Sequence, residues 1–209
     1  MVKIATCDGA PGLEDPLLPQ PEGSVRLDEH TLCIGAAVTL QELVDDERVP
    51  AVIRHAARRD QPRAVRTLAT VGDCVSAADS DSELLSTLLA YDATVTVYDR
   101  HRSMTMPLAR ALSGHASLIR CLVTALVIET DGVAFAARVG RAPDERPVVA
   151  AVARRKVNGE LRVALSGVAT FPVVAAKTDV VDPPGDVTAS NEYRRVLATT
   201  VMIRALEGV

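Results

Sequence analysis

The alternation of apolar and polar positions is absent at first. Residues 8–23 carry Pro11, Pro16, Pro19 and Pro21 among Gly9, Gly12 and Gly23, a density that neither a helix nor a central strand tolerates. An irregular arm is expected over residues 1–23. A period of two then sets in. "SVRLDEHTLCIGAAV" reads as two short strands around a polar turn at Asp28 and Glu29. The next segment shifts to helical spacing, with Thr39 as N-cap, Glu42 three residues on as its capping-box partner, and Pro50 dividing two helices.

From Ala64 to Thr70 the pattern predicts a loop leading to a short extended piece, and Ser82 to Tyr91 a helix. "ATVTVYD" alternates as a strand, and "CLVTALVIET" is another that ends at the turn signal Asp131-Gly132. "VAFAARVG" and "VVAAVARRKVNGELRVALSGV" follow, the latter folded at Asn158-Gly159, a strong hairpin signal. Pro183-Pro184 precede a last helix in "ASNEYRRVLATTVMIRALEG". A mixed α/β segment, residues 24–130, is thus expected before a smaller α+β segment, residues 131–209.

Composition narrows the function classes. The chain is 48% hydrophobic but holds no Trp, two Phe and three Tyr, so its core is aliphatic and stacking on bases contributes little. A net charge of −4 gives no electrostatic case for nucleic acid. Cys7, Cys33, Cys74 and Cys121 form no CxxC pair, so neither a zinc site nor a redox motif is expected. With no signal-like or spanning apolar run, a soluble cytoplasmic protein is expected, with no membrane partner.

The stretch "RTLATVGDCVSAADSDSELL", residues 66–85, carries the sharpest signal. Together with "LCIGAAVTLQEL", "CLVTALVIE", "ELRVALSGVATFPVVA" and "ASNEYRRVLATTVMIRAL", in this order, it resembles the FAD-binding medium subunit of the molybdenum hydroxylases, the carbon monoxide dehydrogenase and xanthine dehydrogenase group. The resemblance runs from about Ser24 to the end. It implies two FAD-binding α/β subdomains and a C-terminal antiparallel-sheet-plus-helix subdomain, with electrons coming through an iron–sulfur subunit from a molybdopterin subunit. It also implies two glycine-rich loops around the FAD pyrophosphate, an AGGT-type loop and a TIGGN-type loop, because a residue without Cβ lets N–H groups reach phosphate oxygens.

Two departures from that pattern stand out. No strand–Gly-Gly–helix unit precedes Ser24, so the first FAD subdomain is expected to be largely missing. The TIGGN-type loop becomes Thr70, Val71, Gly72, Asp73, Cys74, which puts a carboxylate where the second glycine belongs. Unit charges about 4 Å apart repel by roughly 1 kcal/mol in water and about 4 at an effective dielectric of 20, enough to weaken pyrophosphate binding by about fivefold to about a thousandfold. Glu83 stands where the family places an Asp. Thr70, Val71, Gly72, Asp73, Cys74 and Glu83 are therefore cofactor-binding candidates only if FAD is retained.

Other residues admit a plain structural reading beside a functional one. Asp73, Asp79, Asp81 and Glu83 form an acidic run suited to helix N-termini, to a metal site or to acid/base work. Arg54, Arg58, Arg59, Arg63 and Arg66 suit a solvated helix face, an anion site or a docking surface for an acidic partner, and Arg66 a brace. His55, His101 and His115 occur singly. Cys74 precedes a helix that could activate a thiol, but no base accompanies it. Tyr193, Arg194 and Arg195 read as packing and capping residues with Ser190 as N-cap. No residue is singled out as catalytic.

The expected function is a divergent homologue that has lost autonomous FAD binding. It would act as a flavin-free enzyme that cyclises or isomerises an apolar metabolite in an aliphatic cleft beside residues 70–84, as a homodimer and with no cofactor. The alternatives are a true FAD-binding oxidoreductase subunit working with iron–sulfur and molybdopterin partners, and a non-catalytic interaction protein.

Overall fold

The computed structural model describes residues 23–99, 102–118, 120–142, 145–175 and 185–209. Most of the expected N-terminal arm, the Pro183-Pro184 break and His101 lie outside the described residues.

Five strands form an antiparallel sheet: β1 (Val25–Asp28), β2 (Thr31–Gly35), β3 (Thr94–Asp99), β4 (Arg102–Pro107) and β5 (Leu122–Glu129), in the order β1-β2-β5-β3-β4. The β1–β2 hairpin turns at Glu29, whose φ is 49°. Alternation decides what this sheet buries. Leu32, Ile34, Val95, Val97, Leu126 and Ile128 enter the main core, which is completed by α1 (Leu40–Asp45), α2 (Ala51–Asp60), α4 (Val71–Ala77) and α5 (Glu83–Ala90). The single turn α3 (Arg63–Arg66) joins α2 to α4. The loop expected over 64–70 is thus partly helical, because Pro62 starts one turn and the Thr70 cap starts another helix.

The second sheet has the order β6-β7-β8-β9, from β6 (Val133–Val139), β7 (Val149–Arg155), β8 (Leu161–Ser166) and β9 (Val173–Val174). Its two faces are covered by different helices. Val149, Ala151 and Ala153 of β7 join Leu197, Ala198, Val201 and Ala205 of α8 (Asn191–Glu207) in one core, while Val152 and Ala164 face the main core. Small residues in β7 let both layers approach. Helix α5 packs against β7, β8 and β9 of the second sheet and against α2; all eight of its residues are buried, with the Ser86 and Thr87 hydroxyls donating to the Glu83 carbonyl. Each of its four leucines stabilises the fold by roughly 1.5–3 kcal/mol.

Strand β4 and helices α6 (Leu108–Ser113) and α7 (His115–Leu118) complete the chain. The sequence pattern left them unassigned, although Met104 and Met106 alternate with Ser103 and Thr105. Ser190 caps α8 as expected, accepting from the Tyr193 N–H at 3.2 Å.

Candidate functional site

The glycine-poor loop at residues 70–74 is the first turn of α4. Thr70 is its N-cap, and the Asp73 N–H donates to Thr70 Oγ1 at 3.1 Å. Asp73 answers by accepting from the Thr70 N–H and hydroxyl, both at 2.8 Å. The remaining early donors are also taken. The Val71 N–H reaches the Val38 carbonyl at 2.9 Å, the Gly72 N–H the Ala36 carbonyl at 2.9 Å, and the Cys74 N–H the Thr70 carbonyl at 3.2 Å. A helix start normally offers unpaired N–H groups to an anion. Here none from residue 70 to residue 74 is free.

Gly72 has its own reason for lacking a side chain. A Cβ would lie 3.0 Å from both the Cβ and the carbonyl oxygen of Ala36, so the glycine lets α4 sit against the end of β2. Its neighbour α1 repeats the same cap. Thr39 and Glu42 exchange bonds of 2.8 and 3.1 Å, and Thr39 and Thr70 form an isolated antiparallel bridge. Two helix starts therefore stand side by side, each closed by its own carboxylate. This arrangement does not fit a pyrophosphate cradle: its donors are spent and Asp73 and Glu42 are exposed there.

The acidic run does not gather into one site. Glu83 is fully buried at the start of α5, where Arg59 contacts it at 2.5 and 3.1 Å and Arg138 at 3.3 Å. Asp60, at the end of α2, is equally deep. It accepts from the Ser82 hydroxyl at 2.8 Å, and Arg146 reaches it at 3.3 Å while also holding Asp79 at 2.8 Å and Asp81 at 3.1 Å. Burial pushes the Asp60 carboxyl above its usual range, outweighing the opposing pull of Arg146 and the Ser82 bond. Arg138 and Arg146 come from the second-sheet half of the chain. The cluster is thus a buried tie between the halves, of the kind that is costly to break.

A second tie closes the other end of α5. Arg154, fully buried on β7, donates to the Tyr91 carbonyl at 3.3 Å and lies 4.7 Å above the Tyr91 ring, while also pairing with Asp131. A cation at the helix C-terminus and a carboxylate at its start both suit the helix dipole.

The other candidates resolve as structural. Arg66 braces α3, donating to Gln41 Oε1 and to the carbonyls of Arg58 and Gln61. Arg194 is buried and holds the Val148 and Gly167 carbonyls together with Asp186. His115 bonds the Ser76 carbonyl at 2.9 Å and His55 is exposed. Cys74 is buried against Asp60, and burial drives its thiol far above the usual range, which disfavours the thiolate. No metal-binding group of His, Cys, Asp and Glu occurs among the described residues. The cavity bordering Asp79, Ser80 and Asp81, about 320 Å³, is lined by Arg141, Arg146 and Arg194 as well as acids. It is charged rather than aliphatic.

Asp60, Arg138, Arg146 and Arg154 were invisible to spacing arguments because Arg146 lies 86 residues from Asp60 and the ties form only when the halves dock.

Residues 23–126 match the family described as "FAD binding domain in molybdopterin dehydrogenase". A curated relative, the uncharacterized protein YgfM of Escherichia coli (strain K12), is 30% identical over 151 residues, 70% of this chain. The chain spans about half the length of that relative, 54%. Among solved structures, quinoline 2-oxidoreductase from Pseudomonas putida 86 superposes with a TM-score of 0.75 at 18% identity, covering 88% of this chain and 77% of the other. Carbon monoxide dehydrogenase from Hydrogenophaga pseudoflava gives 0.78 at 17% over the same shares. Reconstituted CO dehydrogenase from Oligotropha carboxidovorans gives 0.77 at 18%, again over 88% and 77%. Identities this low establish the shared α+β fold. Among the described residues no helix is long and apolar enough to cross a membrane.

Proposed function

Residues 23–126 belong to the family of FAD binding domains in molybdopterin dehydrogenases, and from this premise we propose that the chain is a flavoprotein-type component of a molybdopterin-dependent oxidoreductase. In this reading residues 24–130 and 131–209 are two subdomains, iron–sulfur and molybdopterin subunits are its partners, and it contributes one wall of a flavin site. FAD would supply the two-electron to one-electron conversion in such an assembly. The grip on its pyrophosphate then comes from groups other than the N–H donors of residues 70–74, since the start of α4 is closed. The observation that carries the reading is the family match over residues 23–126; the fold shared with quinoline 2-oxidoreductase and carbon monoxide dehydrogenase over 88% of the chain agrees with it. Exposed Leu68 (80%) and Val65 (43%) beside the α4 start support it, because apolar side chains there suit a covering lobe or subunit.

The spent donors of α4 favour a second reading, in which the fold works without flavin on a small molecule, as a homodimer. Purification of the chain with its partner subunits from a native source separates the two. Flavin and iron–sulfur absorbance co-eluting with the chain support the first. A complete partner complex without flavin removes it and leaves the second, whose dimer sedimentation at micromolar concentration would then test.

A further inference from the structure

A cavity of about 650 Å³ opens between the β3–β4 hairpin and α6–α7. Its lining divides by chemistry. Val97, Met104, Met106, Ala111 and Leu118 make an apolar floor, and Arg110 and Arg120 stand at its rim. The register explains the floor: Met104 faces Val97 and Met106 faces Val95 across the hairpin, so both thioethers lie on the core-directed side. Ala111 is buried but short, which leaves room between α6 and the hairpin.

Both rim arginines are exposed. Neither guanidinium pairs with a carboxylate among the described residues, unlike Arg59, Arg138, Arg146, Arg154 and Arg194, each of which meets one. Asp99 is the one acid in the lining, so the rim carries a net positive charge. The volume falls in the range of small-molecule pockets, roughly 300–1,000 Å³. Methionine walls adapt to irregular apolar bodies.

We propose that this cavity is a binding site for a small apolar carboxylic acid, its hydrocarbon body on Val97, Met104 and Met106 and its carboxylate between Arg110 and Arg120. The site is separate from the α4 start and does not depend on the flavoprotein reading. Two exposed arginine–carboxylate contacts set the preference for an acid over a neutral analogue at about five- to tenfold.

The test uses decanoate and decanol on the full chain labelled at its methionine methyls. The four methionines are Met1, Met104, Met106 and Met202, and Met202 packs against the second core, so it serves as an internal reference. Decanoate is expected to shift the Met104 and Met106 signals saturably and to leave Met202 in place. The variant Arg110→Gln/Arg120→Gln, altered only at exposed positions, is expected to bind decanoate about five- to tenfold more weakly and decanol as before. Unmoved Met104 and Met106 signals overturn the proposal. So does decanoate binding that is unchanged in the variant, or a Met202 shift as large as theirs.

Discussion

The start of α4 and the groove between β4 and α6 invert what their sequences suggest. The first carries the residue order of a phosphate loop, yet every N–H from Thr70 to Cys74 has an internal acceptor and a carboxylate closes the turn. The second has no motif, yet it presents two arginines without carboxylate partners among the described residues, over an apolar floor. Capacity to bind an anion thus follows from which donors remain unspent. Motif ancestry records only where donors stood.

The largest effect is expected where charge is buried. Glu83→Ala leaves Arg59 and Arg138 facing each other without their anion and should lower unfolding free energy by about 3 kcal/mol, below the top of the range for buried pairs because both arginines are partly exposed. Urea denaturation measures it, and a loss under about 1 kcal/mol would mean the tie between the halves is weak. Asp73→Ala removes only the capping carboxylate and should cost about 1 kcal/mol by the same measurement. A neutral result would show that the α4 start is not held closed by its own acid.

Acid titration should separate two carboxylates of opposite sign. The carboxyl of Asp60 is raised in the fold, so its contribution is fully present below its unfolded value of about 3.9 and is lost as pH rises through the folded value. The Arg194 bond holds Asp186 down at about 2, so its contribution is present above about 3.9 and is lost as pH falls toward that value. Urea midpoints across this range should flatten on the low side in Asp186→Asn and on the high side in Asp60→Asn. Screening keeps the Asp186 change small, since half of its side chain is exposed. Identical profiles for the wild type and both variants would contradict the assignments.

The smallest effect on the chain itself is expected at Leu68→Asp, within about 0.5 kcal/mol of wild-type stability because the side chain is exposed. Its consequence should appear in assembly, as weaker co-purification with partner subunits. Unaltered assembly would remove Val65 and Leu68 from the contact.

Much of this was legible beforehand, and the pattern of failures is physical. Period-two alternation located β1, β2, β3 and β5, and the Thr39–Glu42 and Pro50 signals located α1 and α2, because each is a local property of consecutive residues. The α4 helix was read as a loop because its order resembles a phosphate cradle, while Thr70 and Asp73 are equally a capping box. Local order cannot choose between those roles; the Val38 and Ala36 carbonyls, more than thirty residues away, do. Glu83 was placed beside a cofactor for the same reason, and only the docking of β6 brings Arg138 to it. The cavity beyond β4 had no signal at all, since its lining comes from residues 97–121 folded around the short side chain of Ala111.

The most direct test of the closed α4 start is to add excess FAD to the purified chain, remove what is unbound and record the visible absorption of wild type. A colourless protein is predicted, because no donor between residues 70 and 74 is free to take the pyrophosphate. A flavin band near one FAD per chain would contradict this, and would mean that the turn opens to the cofactor despite Asp73.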